Sequence, residues 1–88
     1  MTWKINWTDE ARKQLRKLDK TAQENILDYM KKRISTADDP ADFGKPLKYK
    51  KYGLWRYRVG DYRIVCQIES DVLTILVLQV GHRKDIYD

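Results

Sequence analysis

Cysteine and histidine each occur once in this chain of 88 residues, as Cys66 and His82. One cysteine excludes an internal disulfide and any cysteine-rich metal site. No grouping of His, Cys and carboxylates has metal-ligand spacing, and there is no glycine-rich phosphate loop of the P-loop or GxGxxG kind. No Ser-His-Asp arrangement is visible. Asp38 and Asp39 sit in a turn-like stretch before Pro40 and do not read as a catalytic carboxylate pair. Long apolar runs are missing too. The longest, Val72–Val80, contains Thr74 and Gln79 and falls far short of the roughly 20 residues of a membrane span, so no membrane partner is expected. The first residues, MTWKINW, lack the apolar core of a signal peptide, and a reducing cytoplasm is the expected location. A chain this short buries only about 60–65% of its unfolded surface. It is read as a single domain, 1–88, with no room for a large enclosed cofactor cavity, and no cofactor or metal is expected.

Positive charge is what the chain has in excess. Lys and Arg number 18 against 13 Asp and Glu, for a net charge of +5. The excess is local. Residues 45–63 carry Lys45, Lys48, Lys50, Lys51, Arg56, Arg58 and Arg63 against Asp61 alone. A local basic field suits a polyanionic partner, nucleic acid first; the alternative is a solvated basic loop.

The element pattern is that of an α+β domain. Trp3, Ile5 and Trp7 alternate with Thr2, Lys4 and Asn6, as in a half-buried strand. Thr8 stands at an N-cap position, with Asp9 and Glu10 suited to a helix start. Ala11, Leu15 and Leu18 then share one helical face. Asp19 can cap a second helix, in which Ala22, Ile26, Tyr29, Met30 and Ile34 form an apolar stripe. Lys31, Lys32 and Arg33 fall in its last turns, where cations suit the dipole. The short link makes the two helices an αα-hairpin. Residues 35–53 read as a long connection, and long ordered loops in small domains are often functional. A β-meander follows, with strands expected at 54–59, 62–69 and 72–80 and turns at Gly60-Asp61 and Ser70-Asp71. The last strand is apolar enough to be central and covered on both faces. The order is β-α-α-β-β-β, with the helices packed on one face of the sheet.

The Gly60-Asp61 turn fixes a register. Val59 pairs with Tyr62, Arg58 with Arg63, Tyr57 with Ile64 and Arg56 with Val65. Trp55, Tyr57, Val59, Tyr62, Ile64, Cys66 and Ile68 then share one face, and Arg56, Arg58 and Arg63 gather on the other. Like charges directly opposite on a sheet are destabilising, so an anion is the natural complement of such a cluster. Guanidinium groups match phosphate oxygens as a fork. The last strand returns beside Arg63, and Arg83, His82 and Tyr87 are expected to converge on the same face. Cys66 reads as a core thiol. Trp3, Trp7 and Trp55 read as core rather than base-stacking platforms.

Three segments carry a family resemblance: Gly44-Lys45-Pro46-Leu47, Trp55 to Arg63, and Val80 to Tyr87. Together, in this order and over nearly the whole chain, they resemble the RelE-type toxins of bacterial toxin–antitoxin modules, within the RelE/ParE superfamily. The resemblance implies the RelE-like microbial RNase fold. It also implies a ribosome-dependent endoribonuclease that cuts mRNA in the ribosomal A site and inhibits translation. The implied chemistry is metal-free attack of a 2′-OH on the adjacent phosphorus. Arg63 matches the family's transition-state arginine, Arg83 the arginine near the leaving group, and Tyr87 the C-terminal tyrosine that stacks on or activates the nucleotide. In the best-known members lysines stand where this chain has Arg56 and Arg58. An arginine stays protonated, so these two are cast as phosphate clamps. The general base is then Tyr87, His82 or a ribosomal group. Lys45, Lys48, Lys50 and Lys51 are expected to contact ribosomal RNA. The implied partners are the ribosome, mRNA and a cognate RelB-like antitoxin with an acidic, partly helical segment. The alternatives are a ParE-like inhibitor of DNA gyrase and a non-catalytic RNA-binding module.

Overall fold

A computed structural model of the chain describes residues 2–47 and 53–84. The first strand, β1, is Lys4–Trp7. Helix α1 spans Asp9–Arg16, and Thr8 caps it by accepting from the Ala11 amide. Helix α2 spans Lys20–Tyr29, capped by the Asp19 carboxylate accepting from Ala22 N at 2.7 Å. Both caps satisfy amides that a helix start leaves without partners. The second helix runs on as a π-helical turn, Met30–Ile34, closed by Ser35 N donating to Met30 O.

The sheet has five strands in the order β1-β5-β4-β3-β2. Strand β3 is Leu54–Val59, β4 is Tyr62–Glu69 and β5 is Thr74–His82. The expected α+β class holds, with one more strand than expected. Contrary to what its composition suggests, the stretch 35–53 is not connection throughout. It contains a 3₁₀ turn at Pro40–Phe43 and a two-residue strand, β2, at Lys45–Pro46. Two residues are too few for a period-2 pattern, so this strand left no signal in the sequence. β2 pairs antiparallel with β3, placing Lys45 opposite Arg56.

The β3–β4 register is the expected one, from Val59 opposite Tyr62 to Arg56 opposite Val65. Gly60 sits at φ +59, a conformation that glycine adopts without penalty. The last strand begins two residues later than expected. Ser70–Val72 form a 3₁₀ turn and Leu73 takes a left-handed conformation, φ 47. β5 also carries a bulge: Cys66 pairs with Val77 but Val65 with Gln79, so Leu78 is passed over. The Gln14 carboxamide accepts from the Val80 amide at 2.7 Å and ties α1 to the strand just after the bulge.

The helices cover one face of the sheet. Tyr57, Ile64, Cys66, Ile75, Val77 and Val80 meet Ala11, Leu15, Ile26, Met30 and Ile34 there, with Trp3 joining them. The central strand is less enclosed than its apolar run suggests. On the face away from the helices Leu76 is only partly buried and Gln79 is exposed. Tyr57 links the core to the 35–47 segment, because its hydroxyl donates to Pro40 O at 2.8 Å. Gly44 passes so close beneath it that a Cβ there would stand 2.7 Å from Arg56 O and 2.9 Å from Tyr57 Cε1.

Tyr57→Phe is therefore expected to cost about 1–2 kcal/mol, because the buried Pro40 carbonyl loses its donor. Urea unfolding measures this, and an unchanged midpoint would mean that water replaces the hydroxyl. Burial also pushes the Tyr57 hydroxyl and the Cys66 thiol well above their ordinary values of 10.0 and 9.0. Above pH about 9 the unfolded chain releases protons that the fold retains. Its stability is therefore expected to be fully present below that pH and to fall as pH rises further. Unfolding midpoints at neutral pH and at pH about 10 test this, and equal midpoints would count against it.

Candidate functional site

The open side of the sheet collects the arginines. Arg58 lies directly opposite Arg63, and Lys45 directly opposite Arg56, on adjacent strand pairs. These four cations line a groove of about 320 Å³, together with Asp42, Phe43 and Gly44. The floor is β3 and β4. One wall is the 3₁₀ turn and β2, held against the sheet by the Tyr57–Pro40 hydrogen bond and by the close approach of Gly44. Arg58 is oriented by its own turn, its Nε donating to Gly60 O at 3.3 Å. Asp42 is the one carboxylate among the lining residues.

Four of the expected site residues are thus brought together: Lys45, Arg56, Arg58 and Arg63. Arg83 follows the end of β5, and its amide donates to Asp61 O at 2.8 Å beside the turn. It lies in the turn beyond the strand and is not among the residues that line the groove. His82 does not converge with the arginines as expected. It pairs with Tyr62 on the helix side of the sheet, and the two rings meet edge to face at 5.7 Å. The cause is the bulge. One extra residue in a strand turns every later side chain to the opposite face, and nothing in the apolar run Val72–Val80 announced it. His82 accepts a hydrogen bond from the Lys84 amide and borders a second groove with Gln14, Lys17 and Leu18. Tyr87, Lys48, Lys50 and Lys51 lie outside the described residues.

Sequence reading missed Asp42 and Phe43. Both lie in the stretch read as connection, and only its length marked it as functional. Trp3 is buried in the core, as expected, and Trp7 packs against that core, whereas Trp55 is only partly buried and stays outside the cluster. Among the described residues no group of His, Cys, Asp and Glu is arranged to hold a metal ion, and no helix is long and apolar enough to cross a membrane.

The arrangement is a small α+β fold whose open sheet face carries a groove lined by four cations. Comparison with known proteins gives that class a family. Residues 5–87 match the family of the ParE toxin of the type II toxin–antitoxin system, parDE. The chain is 31% identical over 87 residues to the Toxin RelG of Mycobacterium tuberculosis, covering 99% of this chain and 98% of the relative. It also resembles a chain of the RelBE2 toxin–antitoxin complex of that organism. There the TM-score is 0.85 and the identity 28%, over 97% of this chain and 95% of that one. The archaeal RelE–RelB complex from Pyrococcus horikoshii shares the fold, with a TM-score of 0.75 at 22% identity over 98% of this chain and 100% of the other. The chain belongs to the ParE toxin family of type II toxin–antitoxin systems, within the RelE/ParE superfamily.

The facing pair Arg58 and Arg63 predicts a trade between stability and binding. Arg58→Gln is expected to stabilise the fold at low ionic strength by a few tenths of a kcal/mol, since like charges directly opposed on a sheet are destabilising. Added inorganic phosphate should raise the melting temperature of the wild type more than that of the variant. Equal phosphate shifts would show that the groove does not hold the anion through Arg58.

Proposed function

We propose that this toxin is a ribosome-dependent endoribonuclease that cuts mRNA in the ribosomal A site without a metal ion and so inhibits translation. The observation that carries the reading is the groove lined by Lys45, Arg56, Arg58 and Arg63. In such a cut a 2′-OH attacks the adjacent phosphorus, the bond to the 5′-oxygen breaks, and a 2′,3′-cyclic phosphate and a 5′-OH result. Charge grows on the phosphoryl oxygens as the new bond forms. Fixed cations aimed at that position stabilise the transition state more than the ground state. Arg63, in the middle of the cluster on β4, is cast as the transition-state arginine. Arg56 and Arg58 clamp the phosphate as bidentate donors. Arg83, beside the turn, serves the leaving oxygen.

The base and the acid are separate demands. His82 faces the helix side, which leaves Tyr87, the groove carboxylate Asp42 or a ribosomal group to take the 2′-OH proton. Lys45, Lys48, Lys50 and Lys51 are assigned to ribosomal RNA. The cognate partner is taken to be a RelB-like antitoxin, since several similar structures are RelB–RelE complexes; an acidic segment of it would neutralise the groove.

The family's ParE description favours a second reading, in which the protein inhibits DNA gyrase and performs no RNA chemistry. Primer extension on a reporter mRNA in a purified translation system separates the two. The wild type is expected to cut at A-site codons only when ribosomes are present. Arg63→Ala should lower the cleavage rate by about 10²–10³, the usual loss when one preorganised donor is removed. Undisturbed mRNA and continuing translation would move the assignment to gyrase, which a supercoiling assay then tests.

A further inference from the structure

Phe43, the one phenylalanine of the chain, ends the 3₁₀ turn and leaves 42% of its surface in water. It lines the arginine groove, and it also lines a second groove of about 290 Å³ with Lys32, Arg33, Thr36 and Ala37. The ring therefore stands on the ridge between two cation-lined channels. The Arg33 guanidinium lies over it, 5.6 Å from the centroid, within cation–π range, which holds the ring in place. Lys32 reaches Asp28 only through an exposed pair at 3.9 Å, a contact weak enough to exchange for a phosphate. The run Lys31-Lys32-Arg33 is thus more than a complement to the helix dipole. The π-helical turn at Met30–Ile34 carries it, and Lys32 and Arg33 are turned toward Phe43 while Lys31 borders a different groove, with Ile5 and Trp7.

Cations that follow a backbone, with an exposed aromatic ring between them, are the components of a single-strand binding track. We infer that Phe43 is a base-stacking platform for single-stranded RNA, and that the Lys32–Arg33 groove takes the backbone flanking the phosphate held by Arg56, Arg58 and Arg63. The inference rests on the RNA reading of the arginine groove and extends it to a neighbouring nucleotide. A phenyl ring stacks on any base, so Phe43 sets the path of the strand and not its sequence.

The test is fluorescence-anisotropy binding of a short, uncleavable 2′-O-methyl RNA oligonucleotide at low salt. The wild type is expected to bind. Phe43→Ala should weaken binding about tenfold, within the range of a lost base stack. Phe43→Leu should weaken it nearly as much, because it keeps apolar bulk but offers no flat face, whereas Phe43→Trp should hold or improve affinity. Arg33→Gln should lower the slope of log K against log salt by about 0.7, the value of one single-strand phosphate contact. Wild-type affinity in Phe43→Ala or Phe43→Leu would overturn the platform and leave the RNA reading standing. No binding by the wild type would overturn the platform, while the ribosome-dependent reading stands or falls on primer extension. If the variants melt lower than the wild type, NMR of the wild type decides. The Phe43 ring protons should move on titration with the oligonucleotide, and unmoved ring protons would overturn the platform.

Discussion

The pairing of Arg58 with Arg63 across the Gly60–Asp61 turn is the constraint on which the site depends. A two-residue loop admits one register, and in that register two guanidinium groups face each other on the open side of the sheet. A slip of one residue would bury them beneath the helices and expose Tyr57 and Ile64. Burying unpaired charge is so costly that the slipped form does not compete. The apolar face and the arginine face therefore specify one another. The residues that fill the core under α1 and α2 are the same ones whose alternation aims the cations outward.

That mutual dependence made this half of the fold legible. Alternation between Trp55 and Ile68, a turn pair that tolerates positive φ, and capping residues at Thr8 and Asp19 all act over a few residues, and each agreed with the others. What stayed hidden was non-local. The bulge at Leu78 leaves no mark in a run of apolar residues, because Leu78 suits either face of a strand. The amide of Val80, just beyond it, is bonded by Gln14, a residue far away in sequence. His82 consequently lands beside Tyr62 and away from the arginines, although the sequence places it next to Arg83. Proximity along a strand is poor evidence of a shared face once one residue is inserted.

The 35–47 segment shows the same limit from the other side. Its two prolines and Gly44 suit a connection, yet its place is set by tertiary contacts: the Tyr57 hydroxyl on Pro40 and the backbone contact that only a glycine at position 44 permits. Those contacts stand a short strand against β3 and turn a flat patch of arginines into a groove with a wall. Lys45 joins the cations because β2 pairs with Arg56, and Asp42 and Phe43 reach the site because the 3₁₀ turn ends there. The membership of Arg56, Arg58 and Arg63 could be read from the hairpin alone, whereas their enclosure could not.

The division of labour between the two faces has a further consequence. Cations opposed on a sheet oppose folding, and interactions outside the site help to offset them. Here those interactions are the dry layer of Tyr57, Ile64, Cys66 and Val77 against Ile26, Met30 and Ile34, and the helix caps. Apart from Tyr57 none of them reaches the groove wall, so its charge can change while the core stays as it is. Only Tyr57 belongs to both: its ring packs beside Tyr29 at 6.2 Å between centroids, and its hydroxyl fixes the groove wall. A disturbance of the core reaches the site most directly through that one side chain. A small domain with little stability to spare thereby concentrates the coupling between its fold and its function around Tyr57, through its bond to Pro40 and the close approach of Gly44.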